Sequence, residues 1–283
     1  MSARARFRQR LARSLGRALL SRREYARLSG IEVRDAGHGY DAFGMHRDWL
    51  IAATGLGGPL YRRYFRVTAH GTEALEWSGP AILIANHAGT LPIDAALLSL
   101  DVLVHSDPPR MPRCIVDHFV PELPFVGTLF SRLGTVSGTQ NNLRHLVEAK
   151  ELCLIFPEGL AAIGKPFSRR YQLQSWRVGH AEAALRYGTP VIPVAIIGSE
   201  EQWPQIGRIA GFRAFGAPYL PIPLTPLPLP VHYHIHYGAP IDLRAEVGAE
   251  LDTETIARAA ALTQRAVERL IASGLAARRG VFR

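Results

Sequence analysis

The stretch Asn86-His87-Ala88-Gly89-Thr90-Leu91-Pro92-Ile93-Asp94 follows an apolar run and sets a histidine and an aspartate seven positions apart. A carboxylate on one imidazole nitrogen fixes the tautomer and stabilises the imidazolium, which leaves the other nitrogen to take a proton from a hydroxyl. That chemistry is general-base catalysis without a protein nucleophile. Gly89 and Pro92 let the loop turn, and Asp94 falls in the first turn of the helix expected from Pro92 to Leu100. By itself the pair also admits a plainer reading, in which Asp94 satisfies backbone donors at the helix start and His87 is a hydrogen-bonded loop residue. A second candidate is Pro157-Glu158-Gly159, which ends the apolar run Leu152 to Phe156 and is followed by Lys165, Arg169 and Arg170, enough positive charge to meet phosphate.

Such residues need strands to carry them. Ala81 to Ala85, Arg113 to Val116, Glu151 to Phe156 and Val191 to Ile197 read as strands, the apolar ones of the kind buried on both faces. Asn141 to Lys150 and Trp176 to Tyr187 read as helices between them. The alternation predicts an α/β fold, a three-layer sandwich with a mostly parallel central sheet flanked by helices, with its site beyond the carboxyl ends of the strands. Met45 to Tyr64 reads as a helical stretch broken near Gly55 to Pro59, Tyr64 to Ala69 as a strand, and Thr253 to Leu270 as a closing amphipathic helix. Alternating prolines in Ala217 to Pro230 exclude helix and central strand and favour an extended path. That apolar stretch suits the rim of a lipid groove, or a rigid connector packed on the body.

The chain has 283 residues, 47% of them hydrophobic, and a formal charge of +9. Residues 1 to 30 hold nine arginines against one acid, Glu24, and so carry +8 of that charge. A basic arm on a near-neutral body indicates an anionic surface rather than nucleic acid. Phe7, Leu11, Leu15 and Leu19 recur every four residues among those arginines, which predicts a basic amphipathic helical arm lying on a membrane. A solvated tail and an organellar transit peptide are the alternatives. The expected division is an arm and linker over 1–44 and a catalytic domain over 45–283. No apolar run reaches the roughly 18 to 20 residues that cross a bilayer as a helix, so the expected location is peripheral, on the cytoplasmic face of a membrane. Cys114 and Cys153 are the only cysteines, too few for a disulfide framework.

His232, His234 and His236 alternate in Val231 to Tyr237 and would share one strand face. A metal site is conceivable there, but no carboxylate or cysteine accompanies them locally and a polar strand face accounts for the pattern. His180 sits in a helical stretch and reads as a packed or hydrogen-bonded residue. A serine-hydrolase elbow, a P-loop and a dinucleotide-binding glycine pattern are all absent from the sequence.

Asn86-His87 with Asp94, then Phe156-Pro157-Glu158-Gly159, then Val191-Ile192-Pro193-Val194-Ala195 resemble ordered sequence blocks of the glycerolipid and lysophospholipid acyltransferase family, over about residues 62 to 245. The longer histidine loop, with six residues inside the pair instead of the four of the commonest pattern, resembles the monoacylglycerol and diacylglycerol acyltransferase branch. The run from Gly164 to Gln174 leading to Gly188 to Gln202 resembles the same branch. The resemblance implies an O-acyltransferase that moves a fatty acyl group from an acyl thioester, acyl-CoA or acyl-carrier protein, to the hydroxyl of a glycerolipid or lysophospholipid. In it His87 is the base, Asp94 orients it, and Asn86, Glu158 and Gly159 position the acceptor. No cofactor and no metal are called for.

The block that usually carries an arginine for glycerol phosphate reads Gly134-Thr135-Val136-Ser137-Gly138 here. That implies a neutral acylglycerol or another lipid alcohol as acceptor, with Lys165 and Arg169 left to contact an acceptor phosphate or the thioester donor. The rival expectations are a lipid-binding or membrane-tethering protein of the same fold without catalysis, and a lysophospholipase-type hydrolase. The oligomeric state is not encoded legibly.

Overall fold

Ala81–Ala85 is buried along its whole length, and so is Val191–Ile197, because each is a continuous apolar run with neighbours on both sides and helices above and below. In the computed structural model, which describes residues 3–89, 91–214 and 217–283, the strands in chain order are β1 (Thr68–His70), β2 (Ala81–Ala85), β3 (Arg113–Val116), β4 (Val136–Ser137), β5 (Leu152–Ile155), β6 (Val191–Ile197), β7 (Gln205–Ala214), β8 (Ala217–Pro223) and β9 (His234–Tyr237). The helices are α1 (Ala3–Leu19), α2 (Arg22–Ser29), α3 (Arg47–Pro59), α4 (Ile93–His105), α5 (Phe119–Glu122), α6 (Val126–Arg132), α7 (Gln140–Glu148), α8 (Leu160–Ile163), α9 (Gly179–Tyr187), α10 (Leu243–Val247) and α11 (Thr253–Ala277).

Seven strands form one sheet in the order β1-β9-β6-β2-β5-β3-β4. Five run parallel, while β9 pairs antiparallel with β6 and carries β1 parallel to itself at the edge. Alternation along each strand divides the core. Leu83 and Ala85 of β2 pack with Leu97, Leu98 and Val102 of α4, whereas Ile82 and Ile84 face Ala181 and Leu185 of α9 and Val267 and Ile271 of α11. This is the expected three-layer α/β sandwich, and β2, β5 and β6 end together on one side.

The stretch expected to break near Gly55 to Pro59 does not break. α3 runs through those glycines and passes into a π-helical turn, Leu60–Tyr64. The glycines serve close approach, since a Cβ on Gly55 would lie 2.9 Å from Leu19 Cβ and one on Gly57 would lie 2.8 Å from Leu100 Cδ1. The strand expected over Tyr64 to Ala69 shrinks to Thr68–His70, because Arg66 turns the chain at φ 46.

The proline-rich stretch follows an extended path, as expected, but Ala217–Pro223 pairs antiparallel with Gln205–Ala214, a strand the sequence reading did not include. In a two-stranded ribbon every strand is an edge, where the N–H that proline lacks is not called on by a further neighbour.

The basic segment is docked on the body and does not stand off it. Ala12 of α1 and Leu20 just after it are buried, and a Cβ on Gly16 would meet Ile51 Cγ2 of α3 at 2.6 Å. Arg13 donates to Asp48 at 3.0 Å, and Leu20, Leu28 and Ile31 share a core cluster with Met45, Leu50, Ile51 and Leu103. The boundary expected at 44/45 therefore runs through the middle of a packed cluster. Ala12 and Gly16 of α1 face inward, while the start of the expected apolar stripe faces out, with Phe7 67% and Leu11 50% exposed.

Candidate active site

β2 delivers Asn86 and His87 to the carboxyl edge of the sheet, and α4 starts six residues later. Gly89, at φ 89, makes the turn that only glycine enters cheaply. Asp94 is fully buried in the first turn of α4, and its Oδ2 accepts the His87 Nδ1 proton at 2.8 Å. The same oxygen accepts the Ala88 N–H at 2.8 Å, and Oδ1 accepts the Ala95 N–H at 2.8 Å. The carboxylate thus satisfies the loop and helix donors of the plainer reading and holds the imidazole through the same oxygen.

Burial works against a charged His87. The Asp94 carboxylate, through its charge and its hydrogen bond, outweighs burial with help from Glu158, so the pKa lies above the ordinary imidazole value. With Nδ1 committed to Asp94, Nε2 is the nitrogen left for a substrate hydroxyl. The ring packs against Phe156, centroid to centroid 4.6 Å, which restricts its rotation.

The second strand end meets the first. Glu158 Oε1 accepts the His87 backbone N–H at 3.2 Å, and its Oε2 accepts the Gln174 N–H at 2.7 Å. Burial raises the Glu158 pKa, opposed by the Gln174 N–H and by the charge of Lys165. Gly159 adopts φ 54 and ψ −142, a conformation reserved for glycine, and lines the same cavity as His87.

Of the residues expected to contact substrate, Asn86 and Lys165 are engaged elsewhere and Arg169 lies off the cavity wall. The Asn86 amide donates to the Ile196 carbonyl at 3.0 Å and accepts the Ile196 N–H at 2.8 Å, so it clamps the start of the histidine loop to β6. Lys165 Nζ is buried against Glu200 Oε1 at 2.8 Å and also donates to the Gln172 carbonyl at 3.0 Å. It holds the 164–174 loop to the segment after β6 and leaves no face for a ligand. Tyr171 adds to that seam by donating to Glu201 Oε2 at 2.8 Å. Arg169 is exposed on the turn Phe167–Arg169 and is not part of the cavity wall.

The cations on that wall are Arg177, paired with Asp117 at 2.5 Å, and Arg186, paired with Glu182 at 2.8 Å. Sequence reasoning missed both because their only signal was a position in or just before a helix already assigned to packing. The cavity is about 630 Å³ and opens from His87 between apolar side chains of α5, α6 and the ends of β3 and β5, including Phe119, Leu123, Phe130 and Ile155. Cys114 lies on its wall, but burial pushes the thiol up to about 12, which leaves it protonated and a poor nucleophile.

Residues 66–197, which hold both strand ends and the His87–Asp94 pair, match the family described as Acyltransferase. That segment, just under half of the chain, is what the chain shares with the family. Over 193 residues it is 39% identical to an uncharacterized protein of Mycobacterium tuberculosis (strain ATCC 25618 / H37Rv), covering 64% of this chain and 53% of that protein. An uncharacterized protein of Mycobacterium leprae (strain TN) is likewise 39% identical, with 52% of its length covered. The chain thus spans about half the length of these curated relatives. Among solved structures, the 1-acyl-sn-glycerophosphate acyltransferase PlsC from Thermotoga maritima shares the fold, with a TM-score of 0.56 at 16% identity over 97% of this chain and 99% of that one.

Proposed function

We propose that this acyltransferase moves a fatty acyl group from an acyl thioester to the hydroxyl of a lipid acceptor, with His87 as general base. The 2.8 Å contact between His87 Nδ1 and Asp94 Oδ2 at an apolar cavity carries the reading. The acceptor hydroxyl gives its proton to Nε2 as its oxygen attacks the thioester carbonyl carbon. The tetrahedral intermediate collapses with cleavage of the carbon–sulfur bond, and the imidazolium returns the proton to the departing thiolate. General-base help supplies on the order of 10²- to 10⁴-fold, and holding acyl chain and acceptor in place adds to it.

The cavity suits the acyl chain, and Arg177 and Arg186 are the cations available to an anionic group on donor or acceptor. Gly159 lines the cavity beside His87, where the acceptor would approach, and Glu158 braces the histidine loop behind it. The departure at Gly134 to Gly138 supports a lipid alcohol without the glycerol-phosphate contact usual in the family. Incubating purified protein with labelled acyl-CoA or acyl-carrier protein and a panel of acceptors, with products read by mass spectrometry, tests the assignment. Acylated lipid is the expected product. Free fatty acid alone would identify a hydrolase, and no turnover on any acceptor would favour a lipid-binding role.

The enzyme works on this reading as a peripheral protein on the cytoplasmic face of a membrane. Among the described residues no helix is long and apolar enough to cross one. The exposed Phe7, Leu11 and Leu19, set among arginines, give α1 an apolar outer face with a cationic border, and Leu56 and Leu60 at the end of α3 are exposed as well. Because α1 is packed on α3, point substitutions test this better than deletion. Phe7→Ser with Leu11→Ser should weaken co-sedimentation with anionic vesicles while leaving the thermal midpoint in place, and unchanged co-sedimentation would remove α1 as the anchor.

A further inference from the structure

Beyond the acyl-transfer site, the sheet edge gathers histidines from two distant parts of the chain. β1 pairs with β9 in a register that sets His70 opposite His236 and Thr68 opposite His234. His70, His234 and His236 each have a ring nitrogen within 4.8 Å of the others. We propose that these three residues form a binding site for one divalent transition metal of the zinc class, which fastens the edge strand β1 to β9.

The donor set decides the kind of ion. Three imidazoles without a carboxylate suit zinc, copper, nickel or cobalt, and give nothing to magnesium or calcium, which require oxygen. Two nitrogens that share a tetrahedral metal at about 2.1 Å each lie about 3.4 Å apart. His70 Nε2 and His234 Nδ1 are already 3.4 Å apart.

A buried polar atom without a partner points the same way. The Nε2 atom of His236 is sequestered from solvent and has no hydrogen-bond partner, while His234 presents its Nδ1 to His70. Such a group ordinarily finds a partner, because an unsatisfied buried polar atom carries its full desolvation cost. α11 closes over it, since at Gly274 a Cβ would come within 2.7 Å of His236 Nε2. His70 is exposed, so ions have an entry and a water can complete the coordination shell.

The rings stand stacked and do not yet converge, with His70 and His236 at 4.3 Å between centroids and 11° between planes. Metal binding would exchange the His70–His234 hydrogen bond for two coordinate bonds and turn each unprotonated nitrogen inward. His232 lies outside the set, because its Nε2 meets Thr68 Oγ1 at 2.9 Å. The site is separated from the catalytic loop by β6, which lies between β9 and β2.

Full-length protein freed of any affinity tag and stripped with a chelator would be titrated with Co²⁺, read by visible absorption, and with Zn²⁺ by calorimetry. One ion per chain is expected, with a rise in thermal midpoint on Zn²⁺ addition. His70→Ala, an exposed substitution, should lower affinity by at least roughly 100-fold, the upper end of what even outer-shell ligand partners contribute, and abolish the midpoint rise. His232→Ala should leave both in place. Absence of saturable binding would overturn the proposal and leave a polar stacked face. So would His70→Ala binding as wild type does, or binding lost with His87→Ala in its stead.

Discussion

His87 and His180 line the same cavity and meet opposite fates. His87, at the end of β2, has one nitrogen held by a buried carboxylate, and its pKa is raised. His180, in the first turn of α9, is pushed down to about 4 by burial, against the pull of the Arg177 carbonyl. Its Nδ1 donates to that carbonyl at 3.0 Å, and its Nε2 meets Thr263 Oγ1 at 2.8 Å, tying α9 to α11. Burial disfavours the charged form of both rings, so what sets His87 apart from His180 is a carboxylate on one nitrogen and no protein partner among the described residues at the other.

The contrast breaks first at His87. His87→Ala should cut the rate of acyl transfer by about 10²- to 10⁴-fold without unfolding the protein, whereas His180→Ala should not approach that loss. Equal losses in a steady-state assay would end the distinction.

Next comes the support beneath the catalytic loop. Lys165→Met leaves Glu200 buried without its partner and should destabilise the fold by about 3–5 kcal/mol in denaturant melts, with the double variant Lys165→Met, Glu200→Gln recovering most of it. A substrate-binding lysine would instead raise KM with little change in stability.

Asp94→Asn sharpens the comparison by making His87 resemble His180. Because Asp94 raises the His87 pKa, His87 is neutral only above a value higher than the ordinary 6.5, and on the proposed mechanism activity should fall as pH drops through it. The variant should lose roughly 10²-fold in kcat and shift the acid limb of its pH–rate profile downward. An unmoved limb would exclude His87 as the titrating base. The smallest effect belongs to His180→Ala, which gives up the Thr263 contact and should cost about 1 kcal/mol of stability.

What the sequence disclosed followed from how local the cause was. Val191–Ile197 and Ala81–Ala85 were legible because a strand buried on both faces must be apolar at every position. Asp94 was within reach of His87 because a short loop and a helix start fix where it falls. Lys165 was misread because its partner, Glu200, comes from the far side of β6, and no local pattern announces a pairing 35 positions away. Gly55 to Pro59 looked like a break since glycine has low helix propensity, yet Leu19 and Leu100 require the space those residues leave. The reversal of β9 against the parallel strands had no signature beyond its own alternation, and the histidine His70 that joins it lies 164 positions earlier than His234.

The inverted packing of α1 has one more consequence. A helix seated through Ala12, Gly16 and the Leu20 that follows it asks nothing of Phe7 or Leu11, so polar replacements at those two positions are nearly free as far as folding is concerned. Their upkeep over generations would have to come from outside the fold, and a lineage that no longer needed that contact would let them drift to polar residues while the buried face stayed unchanged.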